Sequence, residues 1–564
     1  MRRELKGNLD EIIRECAIKN RLQYGMAKEK AVLGRVLSEV PEAKRDIGDV
    51  SGRVKRIVAE INRLDLRELE RYKRYEIKRG EVERIHELKL PKKPERVVMR
   101  FAPNPNGPAT LGSARGIVVN SELAKRYNGK FILRFDDTDP KTKRPLLEAY
   151  EWYIEDCEWL NAKPDEIYYA SDRIPSYYEH AERLINLGKA YICFCRKDEF
   201  KKLKDSKKAC PHRDISVEKN MESWKEMLGG KYKEGEAVLR IKTDIQHKDP
   251  ALRDWVAFRI VEEEHPRVGK KYRVWPMLDF ESAIEDHLLG ITHIIRGKDL
   301  MDSEGRQRFI YEYFNWKYPE TLHWGRIRLE EFGKFSTSGL RKAIEGGVYS
   351  GWDDPRLPTL MALRRRGISP ETIRRIMISL GMGENDISLS LDNIFAENRK
   401  ILDHKANRYF FVRDPVRLVV SGASGMKVRI PLHPSFPERG YREFDLKLDE
   451  NGSMILFISK EDAKNLNENE TIRLMNLFNV RIERIEPEGI TAEYLKEKRL
   501  DVKKIHWVRD YLEAEVVKPE DTIKGFCETE CKNLKEGDVI QFERFGFVRL
   551  DRKDGKLVFY FGHR

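Results

Sequence analysis

Strands separated by whole helices cannot pair as hairpins. They lie parallel, because a parallel connection needs a crossover of a dozen or more residues, usually helical. This chain has that rhythm from residue 95 onward. "ERVVMRFA" is rich in strand formers, "ATLGSARGIVVNSELAKRY" has helical texture, and "GKFILRFDDTDP" is a second strand ending in acid. The order predicts the start of an α/β unit built on a parallel sheet. Far downstream, "ITHIIRGKD" resumes the buried-strand pattern. The stretch around 190–265, with its cysteine cluster and "EAVLRIKTDI", then reads as an inserted subdomain.

On either side the texture changes. Leu9, Ile12, Ile13 and Cys16 fall at i, i+3, i+4, i+7, an amphipathic helical stripe, until Pro91 and Pro94 break the pattern. Residues 340–402 are again helical, as in "MALRRRGISPETIRRIMISLG". Beyond about 405 come many short β runs with turn signals, which predict barrels. At 564 residues the chain is too long for one core, and three or four domains are expected. No run approaches the 18 or so apolar residues of a membrane span, and the start lacks the apolar core of a secretory signal, so a cytoplasmic protein is expected. A net charge of +13 suits a polyanionic partner such as nucleic acid, although a solvated mixed-charge surface would give the same balance.

The candidate chemistry lies where strands end. Pro103, Pro105, Gly107 and Pro108 fix a turn that leads into a helix, whose free N–H groups favour phosphate. Neither common nucleotide loop, G-x-x-x-x-G-K-[ST] or G-x-G-x-x-G, occurs there. "RFDDTDP" places Asp136, Asp137 and Asp139 at a strand's carboxyl end, and "IIRGKD" places Arg296 and Lys298 at another. "GKFSTSG" adds a hydroxyl-rich loop led by Lys334. Together they offer carboxylates for an ammonium group and cations for carboxylates and phosphates. Cys193-x-Cys195 and Cys210-x-His212 provide two pairs of soft ligands that could close a structural zinc site, the alternative being reduced thiols. Cys527 and Cys531 have no second pair and read as structural.

In family order, "RFAPNPNGPATLGSARG", "RFDDTDP", "DHLLGITHIIRGKDL", "GKFSTS" and "GWDDPRLPTLMALRRRGI" resemble the class I glutamyl-tRNA synthetases of archaeal type, whose architecture is shared with the glutaminyl enzymes. The resemblance implies a Rossmann-like α/β catalytic core with an inserted acceptor-binding subdomain, helical subdomains, and C-terminal all-β anticodon-binding barrels. It divides the chain into an N-terminal helical domain at 1–93, catalytic halves at 94–180 and 269–335, and the insertion at 181–268. A helical stem-contact subdomain at 336–404 and two barrels at 405–564 complete it.

The implied reaction joins L-glutamate to ATP, with Mg²⁺, as glutamyl-adenylate. It then passes the glutamyl group to the 3′ end of tRNA(Glu), or of tRNA(Gln) as well. Arg100, Asn104, Asp136, Ser282 and Arg296 are the implied glutamate site, with Arg296 answering the side-chain carboxylate. Two signature segments carry the catalytic and ATP roles. In the first, Thr110, Gly112 and Ser113 occupy the family's H-I-G-H segment, preceded by Pro103, Pro105 and Gly107. In the second, Lys334, Ser336 and Ser338 occupy K-M-S-K-S, with Arg326 upstream and Thr337 where the second lysine would stand. The missing imidazoles leave hydroxyls and helix amides as phosphate donors. Leu278 and Ser282 also depart from the Tyr and Asn common in bacterial relatives. Three alternatives stand beside this reading: a glutaminyl enzyme, a non-catalytic tRNA-binding relative, and Arg296 as a plain ion pair with Asp299 or Glu281. The first 90 residues could touch tRNA, dock another synthetase, or cap the fold.

Overall fold

A computed structural model describes residues 2–24, 26–40, 43, 46–64, 88–91, 94–332 and 337–564. The chain divides into two compact units, Met1–Ile85 and His86–Arg564. In the first, helices Arg2–Tyr24, Glu29–Glu39 and Ile47–Arg63 enclose a small core. Ile13, Cys16 and Ala17 of the first helix share it with Val50, Val54, Ile57 and Ile61 of the third. This is the stripe read from the sequence, and Asp46 caps the third helix by accepting from the Asp49 amide.

The second unit opens with strands β1 (Val98–Phe101), β2 (Lys130–Phe135) and β3 (Glu166–Tyr169). Helix Leu111–Arg126 crosses between the first two, burying Ala114, Ile117 and Val118 in one cluster with Leu133 and Phe135 of β2. Gly116 allows the close approach, since a Cβ there would meet the Phe101 ring at 2.5 Å. Four strands then form a separate antiparallel sheet: β4 (Ala190–Cys193), β5 (Val238–Ile241), β6 (Val256–Ile260) and β7 (Val274–Pro276). After helix Leu278–Leu288 the chain returns to the first sheet as β8 (His293–Gly297) and β9 (Glu320–Trp324).

The resulting order is β3-β2-β1-β8-β9, parallel throughout. Successive strands leave β1 in opposite directions, so the connections part above the carboxyl ends of β1 and β8. In open parallel sheets this divergence opens the ligand crevice.

Residues 408–563 form two β systems, one inserted in the other. Arg408–Tyr409 and Phe411–Arg413 begin a seven-stranded sheet. The chain then leaves to build a six-stranded sheet between Pro415 and Ile505, and returns to finish the first from Tyr511 to His563. Aromatics of "RYFFV" thus pack in these cores, with Phe411 stacked on Phe542. Among the described residues no helix is long and apolar enough to cross a membrane.

One buried carboxyl makes the fold sensitive to pH. Asp156, on helix Leu147–Trp159, is 1% exposed, and its Oδ2 has no hydrogen-bond partner. Burial, with Arg364 opposing, pushes its pKa up to about 7. A carboxyl whose folded pKa lies above its unfolded value destabilises the fold progressively as pH rises from the unfolded to the folded value. Asp156→Asn should therefore gain stability relative to the parent between pH 4 and 7, by at most about 4 kcal/mol, and plateau above. Melting temperatures across that range check it, and a gap independent of pH would contradict it.

Candidate active site

At the carboxyl ends of β1 and β8 the sheet opens into a cavity of about 350 Å³. Arg100 and Phe101 end β1 on one side, and Ile295, Arg296 and Gly297 end β8 on the other. Gly112, Ser113 and Gly116 of the crossing helix form a wall, while Asn104, Asp136, Leu278 and Ser282 line the rest with Tyr153 and Trp324.

A charge network organises this cavity. Arg134, fully buried in β2, donates from Nε to Asp136 Oδ1 at 2.7 Å, from Nη1 to Asp286 Oδ1 at 2.7 Å, and from Nη2 to Ser282 Oγ at 2.8 Å. Arg100 grips the same Asp286 with two hydrogen bonds of 3.0 and 3.2 Å. Burial pushes the Asp286 carboxyl up, but Arg100 and Arg134 outweigh it and hold the pKa at about 2. The two carboxylates in turn keep Arg134 firmly charged despite its burial.

Arg296 differs. It is 6% exposed, donates only to Gln307 Oε1 at 3.1 Å, and its buried Nε has no partner. Among the described residues it has no carboxylate partner. The strand-end ion pair is thereby excluded for both Asp299 and Glu281, and Asp299 pairs with Arg326 at 3.4 Å. Burial and the neighbouring Arg100 push the Arg296 pKa down, the mark of a cation short of an anion.

The Pro/Asn loop is stitched to the end of β2. Asn104 Nδ2 donates to the Asp136 carbonyl at 2.9 Å, and the Asp136 amide donates to the Pro103 carbonyl at 2.9 Å. Asn104 Oδ1 is buried without a partner. Behind the helix start, Tyr153 lies beside Ser113, and burial raises its phenol to about 12.

Of the other residues singled out by sequence, Thr110 caps the helix backbone with an exposed side chain, and neither it nor Pro105 lines the cavity. Gly107 packs against Thr337, whose Cγ2 a Cβ at Gly107 would meet at 2.3 Å. The second signature segment thus abuts the first where the family's second lysine would stand. Arg326 is largely exposed and outside the cavity. Lys334 and Ser336, and the side chain of Ser338, lie outside the described residues. Lys298 pairs with Asp386, Asp139 with Arg259, and Asp137 accepts from Tyr150 and Ser171. Only Asp136 of the three aspartates lines the cavity.

Arg134, Asp286 and Gln307 were missed by sequence reasoning. An arginine inside the otherwise apolar "FILRF" was a usable signal, since a buried cation demands anions. Asp286 and Gln307 gave none, as helical polar residues are ordinary.

Two further features flank the cavity. A second cavity of about 520 Å³ shares Leu278 and Ser303 with the first, and is lined by Lys197, Lys201, Lys204, Arg240 and Trp255, among others. There Arg240 lies 3.3 Å over the Phe200 ring. Farther along, the Cys193, Cys195, Cys210 and His212 donor atoms all fall within 4.8 Å of one another. Cys193 and Cys210 sulfurs are 3.9 Å apart, and Cys195 Sγ is 3.4 Å from His212 Nδ1. Hydrogen bonding to Cys210 outweighs burial and brings the Cys193 thiol down to about 7.

Removing Arg134 would leave Asp136 and Asp286 buried with an unbalanced charge. Arg134→Met should cost about 3–5 kcal/mol, the usual loss when one partner of a buried pair is deleted. A urea midpoint unchanged from the parent would refute the network's structural role.

Residues 96–404 match the family described as "tRNA synthetases class I (E and Q), catalytic domain". Residues 406–498 and 504–551 match two families described as the anti-codon binding domain of the same enzymes. The chain is 52% identical to a protein of Archaeoglobus fulgidus named glutamate–tRNA ligase, over 98% of this chain and 100% of that one. It is 51% identical to the namesake protein of Methanosarcina mazei, over 98% and 99%. A crystal structure of a glutamate tRNA ligase from Elizabethkingia meningosepticum in complex with its amino acid aligns at a TM-score of 0.40 and 22% identity, covering 56% of this chain and 71% of that one.

Proposed function

Because the chain belongs to the class I tRNA synthetases for glutamate and glutamine, we propose that it is a glutamate–tRNA ligase. The observation that carries the choice of glutamate is Arg296, a buried cation whose donors lack an anion. A substrate side-chain carboxylate would fill that place with bidentate hydrogen bonds, whereas glutamine's amide would leave the charge unanswered. Asp136 would take the α-ammonium, and Arg100, Asn104 and Ser282 would border the amino acid.

ATP, entering as its magnesium complex, would lay its phosphates across the N-terminus of helix Leu111–Arg126. Gly112 gives backbone access there, and Ser113, backed by Tyr153, donates from a hydroxyl in place of an imidazole. Lys334, Ser336 and Ser338 are assigned to the same phosphates from the second signature loop. A glutamate carboxylate oxygen attacks the α-phosphorus and pyrophosphate leaves. A terminal ribose hydroxyl of tRNA then attacks the acyl carbon and AMP leaves. Positioning and charge neutralisation carry both steps.

The cationic second cavity adjoins this site and gathers Lys197, Lys201 and Lys204, which suits the phosphates of the single-stranded 3′ end of tRNA. The sheets of residues 405–564 are assigned to the anticodon, the segment 181–268 to the acceptor end and 336–404 to the stem. Zinc fits the Cys193, Cys195, Cys210 and His212 cluster. A tetrahedral ion with Zn–S bonds of about 2.3 Å separates its sulfurs by about 3.8 Å, close to the 3.9 Å between Cys193 and Cys210.

Aminoacylation of purified tRNA(Glu) with glutamate and ATP tests the function, and no charging under metal-replete conditions would defeat it. The same assay with tRNA(Gln) decides whether that tRNA is also a substrate. Arg296→Cys should lower glutamate kcat/KM by about a hundredfold, the loss of one charged pair of about 3 kcal/mol. Near-normal glutamate kinetics in that variant would refute the assignment. Elemental analysis should give about one zinc per chain, lost in Cys210→Ser. A metal-free parent of equal stability would remove zinc from the account.

A further inference from the structure

The charge network leaves one buried carboxyl unexplained. Glu281, on helix Leu278–Leu288, is fully buried. Its Oε2 accepts from Thr138 Oγ1 at 3.1 Å, while Oε1, also buried, has no hydrogen-bond partner. Among the described residues it has no ion-pair partner, because Arg134 directs its donors to Asp136, Asp286 and Ser282. The groups facing Glu281 are Arg134 of β2, Asp136 just beyond its end, Glu285 one turn along its own helix, and Tyr177 of the facing helix Ile174–Asn186.

Thr138, which donates to Glu281 Oε2, stands two residues from Asp136, so the two buried carboxyls share one corner of the site and interact directly. Two ionised carboxylates cannot share a dry site, and a single proton between them removes the repulsion. A neutral carboxyl also removes the need for a counterion that Glu281 lacks. Burial first, and Asp136 second, push the Glu281 pKa well up.

That proton also fixes the charge of the pocket. Three guanidinium groups, Arg100, Arg134 and Arg296, stand against two carboxylates, Asp136 and Asp286. With Glu281 neutral, the pocket carries one surplus positive charge. Glutamate, with one ammonium and two carboxylates, carries one surplus negative charge. Were Glu281 ionised, the surplus would vanish and the pocket would suit a neutral amino acid such as glutamine.

We propose that Glu281 carries a proton, donates it to Asp136, and is a positioning residue that sets the pocket's charge for glutamate over glutamine. This rests on Asp136 as the ammonium site of a glutamate-activating enzyme. Without the donor, Asp136 is less well held for the ammonium. Glu281→Leu should raise the KM for glutamate about tenfold, the worth of one buried hydrogen bond, with the KM for ATP unchanged. Glu281→Gln restores a neutral donor and should bring the glutamate KM back near the parent value. A Gln variant as impaired as the Leu variant, or a Leu variant with parental glutamate KM, would overturn the proposal. Neutron diffraction from parent crystals tests the proton directly and needs no variant. A deuteron between Glu281 and Asp136 is expected, and its absence overturns the inference. If the parent fails to activate glutamate at all, the functional reading falls, while the neutron map still decides the proton.

Discussion

A guanidinium sealed inside a strand has to find anions, and much of the site's geometry follows from how Arg134 finds them. Its two carboxylates come from different places: Asp136 is two residues on, just past the end of β2, and Asp286 is on the helix that leads into β8. One fully buried cation therefore ties two elements separated by more than a hundred residues of chain. Arg100, ending β1, joins by gripping the same Asp286. A buried pair contributes little net stability, yet breaking it is costly, so its geometry is strongly enforced. The network thus sets the rim of the sheet where the connections diverge.

With Arg134 and Arg100 satisfied by Asp136 and Asp286, Arg296 is left with only Gln307. The pocket is held one anion short, and a ligand bringing that anion gains what the protein withheld. Pre-organised charge of this kind favours an acidic amino acid without any rearrangement of the protein. The helix wall of the cavity offers a different resource. Helix Leu111–Arg126 is held tightly against β1 because Gly116 lets the Phe101 ring in, so its amide-rich start faces the same cavity. On the proposed reading, with hydroxyls where the resemblance expects imidazoles, fixed backbone dipoles would carry more of the phosphate binding.

Much of this was legible in the chain. Strand–helix–strand texture in "ERVVMRFA" to "RFDDTDP" announced the parallel sheet, because period and crossover length are local properties. Strand ends marked Asp136 and Arg296, and the Cys-x-Cys and Cys-x-His spacing marked a cluster whose donors do converge. Asp286, Gln307 and Glu281 were not legible as a set. Each lies on an ordinary helix, and its meaning comes only from what tertiary packing places opposite it. The nesting of one β system within the other was equally hidden, since "RYFFV" gives no sign that its strands pair with residues more than a hundred positions away.

The central claim is that Arg296 waits for the side-chain carboxylate while Asp136 takes the ammonium. A crystal structure with L-glutamate bound tests it most directly. The account predicts both carboxylate oxygens of the side chain within hydrogen-bond distance of the Arg296 guanidinium, and the substrate nitrogen beside Asp136. Glutamate seated with its side chain away from Arg296, which still bonds only Gln307, would contradict it.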